Sequence, residues 1–356
     1  MVNMNYDLKS QTFDELEKIV IEAGQKKYIA EYIFNFIHTK GAVDISQITP
    51  LSKLFRKQLI DTGFYISSLK IARKLTDEEG TTKYLLKLSD NNAVEAVLLL
   101  DEDRRTLCIS TQVGCAMNCT FCATANIPFK RNLSAGEISD EVYAIEKDAG
   151  EISNIVYMGM GEPLNNYDEV IKSVRILNDP RGRNLGIRHI TISTCGIVPG
   201  IKALAGETIH PRLAISINAP TNALRSKLMP INRKYPLETL LNAVQTYITK
   251  TKCEVTFEYI MISGINDTGL HAQMTAKLLK RLKCKVNLIE FNPTPFSNFE
   301  PSGKEAMERF KKILEQAGIR TMIRLKRGCN IKAGCGQLGA DWEIQAIKTL
   351  RGDKNA

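Results

Sequence analysis

Three cysteines stand close together in Cys115-Ala-Met-Asn-Cys119-Thr-Phe-Cys122, a Cys-x-x-x-Cys-x-x-Cys spacing. Thiolates are soft ligands suited to iron–sulfur clusters, zinc and Cu(I). A cubane cluster has four irons, so three thiolates leave one iron open to bind and activate a small molecule. A cluster held by four thiolates normally only transfers electrons. A structural zinc site wants a fourth Cys or His close by, yet the nearest histidine is His189 and no second Cys-x-x-Cys follows. Inert core cysteines are the bland alternative. Three of them at this spacing, in a polar loop after a strand, point to the cluster instead.

Two further cysteines invite a chemical reading. Cys335 lies in the glycine-rich stretch Arg327-Gly-Cys329-Asn-Ile-Lys-Ala-Gly-Cys335-Gly, with Arg324, Lys326 and Lys332 near it. Such a basic setting predicts a lowered thiol pKa and a nucleophile. Cys108 precedes the cluster motif by seven residues and, alone, reads as core. Cys195, Cys253 and Cys284 lie in or beside strands and receive no functional reading. Glu95 interrupts the apolar run Val94-Glu-Ala-Val-Leu-Leu-Leu. It is either an edge residue facing solvent or a base held in a site, and the sequence does not choose.

The elements that position these groups follow from periodicity. Phe13 onward, Tyr28–Ile37 and Leu51–Ile60 carry apolar residues at helical spacing. Lys70–Leu75, Lys83–Leu88 and Val94–Leu100 read as a short antiparallel meander. From Leu107 strands alternate with helices: Leu107–Thr111, Asn154–Met158, His189–Thr194, Arg212–Ile217, Glu254–Ile262 and Lys285–Phe291, with helices such as Ser134–Ala149 and Lys304–Gln316 between them. That alternation predicts right-handed βαβ units. The fold class is therefore α/β, a partial (β/α)6 barrel with a small N-terminal helical domain and a short antiparallel β extension. The expected division is 1–66 helical accessory domain, 67–104 β extension, 105–345 catalytic core and 346–356 basic tail. In parallel barrels functional residues sit at the C-terminal strand ends. The cysteine loop, Met158-Gly-Met-Gly161-Glu162-Pro163, Ser193-Thr-Cys-Gly196, Ser216-Ile217-Asn218 and Asn292-Pro all fall there.

Composition bounds the rest. The chain has 356 residues, 44% hydrophobic and 24% charged, ordinary values for a full globular core. Met1–Lys9 is polar and does not read as a signal peptide, and no stretch approaches a membrane span. A cytoplasmic protein is expected, in which nine cysteines are ligands, catalytic thiols or core rather than a disulfide framework. Of the net charge of +9, the residues from Pro301 onward hold twelve Lys/Arg against six Asp/Glu. A basic end beside a catalytic core suggests a polyanionic partner such as nucleic acid. Lys40 and Ser52-Lys-Leu-Phe-Arg-Lys are further candidates for phosphate contacts, with a solvated helix face as the default.

The motif Cys115-Ala-Met-Asn-Cys119-Thr-Phe-Cys122 resembles the signature of the radical S-adenosylmethionine (SAM) enzymes. With Met158-Gly-Met-Gly-Glu-Pro-Leu-Asn-Asn, Thr191-Ile-Ser-Thr-Cys-Gly-Ile-Val-Pro, Leu228-Met-Pro-Ile-Asn-Arg-Lys-Tyr-Pro, Val286-Asn-Leu-Ile-Glu-Phe-Asn-Pro and Gly334-Cys-Gly-Gln-Leu, the chain resembles the RlmN/Cfr family of RNA methyltransferases. Gly-Glu-Pro after the second core strand resembles the RlmN branch. The resemblance implies methylation of adenosine carbon 2 in 23S rRNA, at the peptidyl-transferase centre, and in tRNA beside the anticodon. It implies one 4Fe-4S cluster held by Cys115, Cys119 and Cys122, with SAM on the open iron and two SAM consumed per turnover. Cys335 is then the thiol that becomes S-methylcysteine. A 5′-deoxyadenosyl radical takes hydrogen from that methyl, and the carbon radical adds to adenine. Cys108 attacks Cys335 to form a transient disulfide and release the product, a catalytic disulfide compatible with a reducing cytosol. Glu95 matches the proton acceptor, and Gly161, Glu162, Ser193, Ser216, Ile217, Asn218 and Asn292 match the SAM-binding positions. An electron donor such as flavodoxin or ferredoxin, and a monomeric state, are implied with them.

The chain departs from the family pattern at Cys329-Asn330, where acidic residues are usual, at Ser216-Ile-Asn218 in place of Ser-Leu-His, and at Gly334 in place of alanine. Asn218 still offers a hydrogen bond to SAM, and Cys329 introduces a second thiol near Cys335. Carbon-8 methylation, as in the Cfr branch, is one alternative. An RNA-binding protein with a structural cluster is another, although that reading has no use for Cys108 and Cys335.

Overall fold

The computed structural model describes residues 6–102 and 104–339, so the expected basic tail, 346–356, lies outside the described residues. Helices α1 (Phe13–Glu22), α2 (Ile29–His38) and α3 (Lys53–Asp61) open the chain. Thr12 starts α1 through a reciprocal cap: its hydroxyl accepts from the Glu15 amide and the Glu15 carboxylate accepts from the Thr12 amide. The apolar stripes, among them Leu16, Val20, Ile33, Phe34 and Phe55, close on one another as a core of their own.

A ten-stranded sheet follows. β1 (Lys70–Thr76), β2 (Thr82–Lys87), β3 (Ala93–Asp101) and β4 (Arg104–Ile109) are antiparallel neighbours. β4 then pairs in parallel with β5 (Asn154–Tyr157), and β6 (Ile190–Thr194), β7 (Arg212–Ser216), β8 (Val255–Met261), β9 (Cys284–Glu290) and β10 (Arg320–Arg324) extend the parallel part in chain order. β4 is thus both the last strand of the meander and the first of the barrel. Cys108 on β4 sits opposite Val97 on one side and Val156 on the other. The parallel part has seven strands, one more than the sequence suggested. β10 is the addition, a five-residue edge strand with one buried residue, Thr321, so it carries no apolar run to read.

Helices α4 (Ala135–Ala149), α5 (Tyr167–Asn178), α6 (Val198–Leu204), α7 (Asn222–Leu228), α8 (Leu237–Thr251), α9 (Gly269–Leu279) and α10 (Gly303–Gln316) lie between the strands. α6 and α7, seven residues each, were not anticipated. Two turns are too short to display a helical period.

The N-terminal helices dock on α4 through polar contacts. Lys9 Nζ meets Asp140 Oδ1 at 2.5 Å with both side chains buried, and the Leu69 amide donates to Asp140 Oδ2. The Gly136 amide donates to Ser10 Oγ, and a Cβ at Gly136 would lie 2.3 Å from Asp7 Oδ2, so only glycine permits this approach. His38 Nδ1 lies 3.0 Å from the Tyr143 hydroxyl.

Candidate active site

The parallel strands share a direction, so the loops after them meet at one edge of the sheet. A cavity of about 160 Å³ opens there. Its wall carries Cys115, Cys119, Cys122, Gly161, Glu162, Ser193, Ser216 and Cys335, most of the positions singled out in the sequence.

Local hydrogen bonds shape the cysteine loop. The Cys122 amide donates to the Cys119 carbonyl, Cys115 to Ile127, and Thr120 to Leu228. Asn118 adopts a left-handed φ of 54°, a conformation that asparagine tolerates, and this lets the three thiols share one loop. Burial raises all three thiol pKa values, that of Cys115 to about 12. Proximity of the other thiols adds to this at Cys115 and Cys119, while the Arg225 cation opposes it at Cys119. Metal binding deprotonates such thiols, so their stabilisation must come from the metal itself. Among the described residues no three His, Cys, Asp or Glu side chains converge on a single ion. Three soft donors from one loop, all lining the cavity, fit the ligand set of an iron–sulfur cluster.

The neighbouring strand ends are tied to this loop. Ser110 Oγ donates to the Glu95 carbonyl and accepts from the Met160 amide, joining the ends of β3, β4 and β5. Glu162 is buried, and its two carboxylate oxygens accept from the Leu164 and Cys195 amides at 3.0 and 2.7 Å. Arg225, fully buried, donates to the carbonyls of Cys195, Ser216 and Ile217 and to Asn232 Oδ1. It fastens the ends of β6 and β7 together beside the cysteine loop.

Cys335 arrives from the far end of the chain. The Ala123 amide donates to the Gly336 carbonyl at 2.7 Å, Thr124 Oγ1 to the Leu338 carbonyl at 2.8 Å, and Asn292 Nδ2 to the Cys335 carbonyl at 3.1 Å. The segment is therefore strapped to the residues just after Cys122. Its thiol is exposed at the cavity. Cys335 is near enough to add to the cost of ionising Cys108, although Cys108 is not part of the cavity wall.

The structure corrects several expectations. The Cys335 pKa is raised, not lowered: the surrounding protein disfavours the thiolate, and Arg324 only partly opposes this. Lys326 pairs with Glu290 at 2.7 Å, and Arg327 with Asp101 and the Leu100 carbonyl. Asn218 does not line the cavity. Its Oδ1 accepts from the Ile260 amide and its Nδ2 lies 3.3 Å from Met229 Sδ, so in this structure its polar atoms tie strand ends together. Ile217 and Asn292 also stand behind the wall, and Asn292 bridges Cys335 and Cys329, whose Sγ lies 3.2 Å from Asn292 Oδ1. Glu95 is no solvent-facing edge residue: it is buried, 3.4 Å from Lys83 Nζ, with Oε2 accepting from the Gly339 amide.

Sequence reasoning missed Arg225 and Glu258. Nothing marks Arg225 in a seven-residue helix. Glu258 did leave a signal, an acid inside the apolar strand Val255-Thr-Phe-Glu-Tyr-Ile-Met.

Comparison with known proteins agrees with this geometry. Residues 109–273 match the model of the radical SAM superfamily, and residues 6–63 match the ribosomal RNA large subunit methyltransferase N-terminal domain. The chain is 45% identical over 334 residues to a protein of Thermoanaerobacter sp. (strain X514) named probable dual-specificity RNA methyltransferase RlmN, covering 94% of this chain and 97% of that one. It is 42% identical over 338 residues to the dual-specificity RNA methyltransferase RlmN of Syntrophobacter fumaroxidans, covering 94% and 98%. The crystal structure of a radical SAM methyltransferase from Sphaerobacter thermophilus superposes with a TM-score of 0.87 at 42% identity, covering 94% and 99%.

Proposed function

Because the chain belongs to the RlmN family of dual-specificity RNA methyltransferases, within the radical SAM superfamily, we propose that it methylates adenosine carbon 2 in 23S rRNA and tRNA through a methyl group carried on Cys335. One observation carries the reading: Cys335, from the far end of the core, lines the same cavity as the three-cysteine loop, and its charge bears on Cys108.

Carbon 2 of adenine lies between two electron-poor ring nitrogens and cannot attack a sulfonium methyl. A carbon radical can add there. Cys115, Cys119 and Cys122 would hold the 4Fe-4S cluster that the superfamily implies. When bound, that group supplies the electron that cleaves SAM to the 5′-deoxyadenosyl radical. Gly161, Glu162, Ser193 and Ser216 line the cavity and would contact SAM. Ile217, Asn218 and Asn292 would act from behind, through the strand ends and the Cys335 loop.

Cys335 accepts the first methyl because its sulfur is open to the cavity. A second SAM is then needed for the radical, hence two per turnover. Cys108 waits as a neutral thiol, its pKa raised mainly by burial. It attacks Cys335 once the RNA is joined to that sulfur, and the resulting disulfide releases the product. Glu95 would receive the proton that carbon 2 loses, after release of the Gly339 amide it now holds. RNA would reach the site across the N-terminal helices and the basic end, since a base must be unstacked to enter such a pocket. No helix among the described residues is long and apolar enough to cross a membrane. A monomer in the cytoplasm, reduced by flavodoxin or ferredoxin, completes the reading.

The test is an anaerobic assay of Cys108→Ala with RNA and SAM. The expected result is a covalent protein–RNA adduct through Cys335. Free methylated RNA at the wild-type rate refutes the role given to Cys108. NMR of the modified nucleoside separates carbon 2 from carbon 8.

A further inference from the structure

Glu258 is 5% exposed on β8, yet its side chain reaches the wall of the same cavity as Cys335. Oε1 accepts from Asn287 Nδ2 at 2.9 Å, which fixes the carboxyl group against β9. Oε2 is also buried and has no hydrogen-bond partner. Leaving a buried polar atom unpaired costs about 1–3 kcal/mol, and more for a charged one. The other carboxylate on the wall, Glu162, has both oxygens occupied by backbone amides. Among the described residues that line the cavity, Glu258 Oε2 is therefore the carboxylate oxygen available to accept a proton.

We propose that Glu258 accepts the thiol proton of Cys335 as that sulfur takes its methyl group, which rests on Cys335 being the methyl acceptor. The step balances. The Cys335 sulfur forms a bond to the SAM methyl carbon, the sulfonium bond breaks with its electron pair returning to the departing sulfur, and the thiol proton passes to Glu258. No oxidant or reductant is required.

The electrostatics suit this division of labour. Burial makes Glu258 more basic than an ordinary glutamate, while Arg324 on β10 and Lys285 and Asn287 on β9 restrain that rise. The Glu258 charge in turn disfavours a free thiolate at Cys335. The thiol thus stays protonated until the methyl approaches, which is the condition for general-base assistance in place of a standing thiolate.

The experiment uses full-length protein with its cluster reconstituted and no reductant present, incubated with SAM. Peptide mass spectrometry follows the methyl on Cys335 in wild type, Glu258→Gln and Glu258→Asp. In parallel, iodoacetamide labelling of Cys335 without SAM is followed against pH. Glu258→Gln is expected to slow methyl loading by about a hundredfold or more, within the ~10²–10⁴ range of general-base catalysis. Its labelling is expected to shift to lower pH, because a negative charge beside the thiol has gone. Glu258→Asp should recover part of the loading. A merely structural role moves both readouts the same way, so loss of loading together with loss of labelling overturns the proposal. Loading of Glu258→Gln at the wild-type rate overturns it alone. Methyl found on another cysteine in the wild type overturns the acceptor reading together with it.

Discussion

Replacing Arg225 by methionine removes a fully buried guanidinium and leaves four acceptors without a donor: the carbonyls of Cys195, Ser216 and Ile217, and Asn232 Oδ1. Each acceptor stranded in the interior costs about 1–3 kcal/mol. Against that loss stands the several kcal/mol no longer needed to bury a cation. Burial does strain this cation, since it lowers the Arg225 pKa while the Cys195 and Cys119 sulfurs oppose the shift. The net expectation is a destabilisation of roughly 3–5 kcal/mol, the usual cost of removing one member of a buried charged network. At about 2 °C per kcal/mol, the low end of the scale for larger domains, Tm should fall by roughly 6–10 °C. The damage should be local to function too, because three of the four acceptors belong to the ends of β6 and β7 that face the cavity. Circular dichroism melting and SAM binding by calorimetry read the two effects. Arg225→Lys keeps the charge but cannot reach four acceptors, so it should fall between wild type and methionine. An Arg225→Met protein with unchanged Tm and unchanged SAM affinity would refute the claim that this side chain holds the two strand ends together.

His38 sets an acid limit on stability: burial, then the Lys9 charge, lower its pKa from 6.5 to about 3. Above pH 6.5 it contributes no loss, but between pH 6.5 and about 3 the unfolded chain binds a proton that the folded one refuses. Stability should therefore fall with acidity at up to ~1.4 kcal/mol per pH unit. Urea melts across that window should lose this slope in His38→Gln, and an identical slope would sink the assignment. Gly161→Ala places a methyl 2.6 Å from Gln112 Cβ at a φ of 100°, which should cost about 1–3 kcal/mol and abolish SAM binding in calorimetry. Cys119→Ala should prevent iron retention after anaerobic reconstitution, as measured by iron analysis. Cys329→Ser should leave the methyl on Cys335, and its disappearance from that peptide would show that Cys329 is part of the transfer.

Much of the site was legible because its signals are local. Strand ends at Met158–Glu162, Ser193 and Ser216 could be placed from the periodicity of the runs before them, and they do meet at one cavity. The position of Asn218 was legible, but not that its Oδ1 accepts from the Ile260 amide, a partner no local pattern announces. Glu95 and Glu258 left the same mark, an acid in an apolar strand. The two differ in surroundings: Lys83 and the Gly339 amide for one, Asn287 and the cavity wall for the other. The edge strand β10 was missed because a strand with one buried residue needs no apolar run.

By itself the sequence determined what depends on neighbours along the chain. Three soft ligands within one loop point to a cluster site before any fold is known, and the alternation of strand and helix specifies the parallel sheet around it. The tertiary structure decided what depends on which distant segments meet. It alone brings Cys335 over the residues following Cys122 and close enough to Cys108 to bear on that thiol's ionisation. It also reverses the expected direction of the Cys335 pKa, because the lysine and arginine beside it in sequence turn to Glu290 and Asp101 while the protein packed around the cavity, with Glu258 among it, disfavours the thiolate. Charge counted along a chain does not give the field at an atom; the field follows from burial and from through-space partners, and both are fixed only by packing.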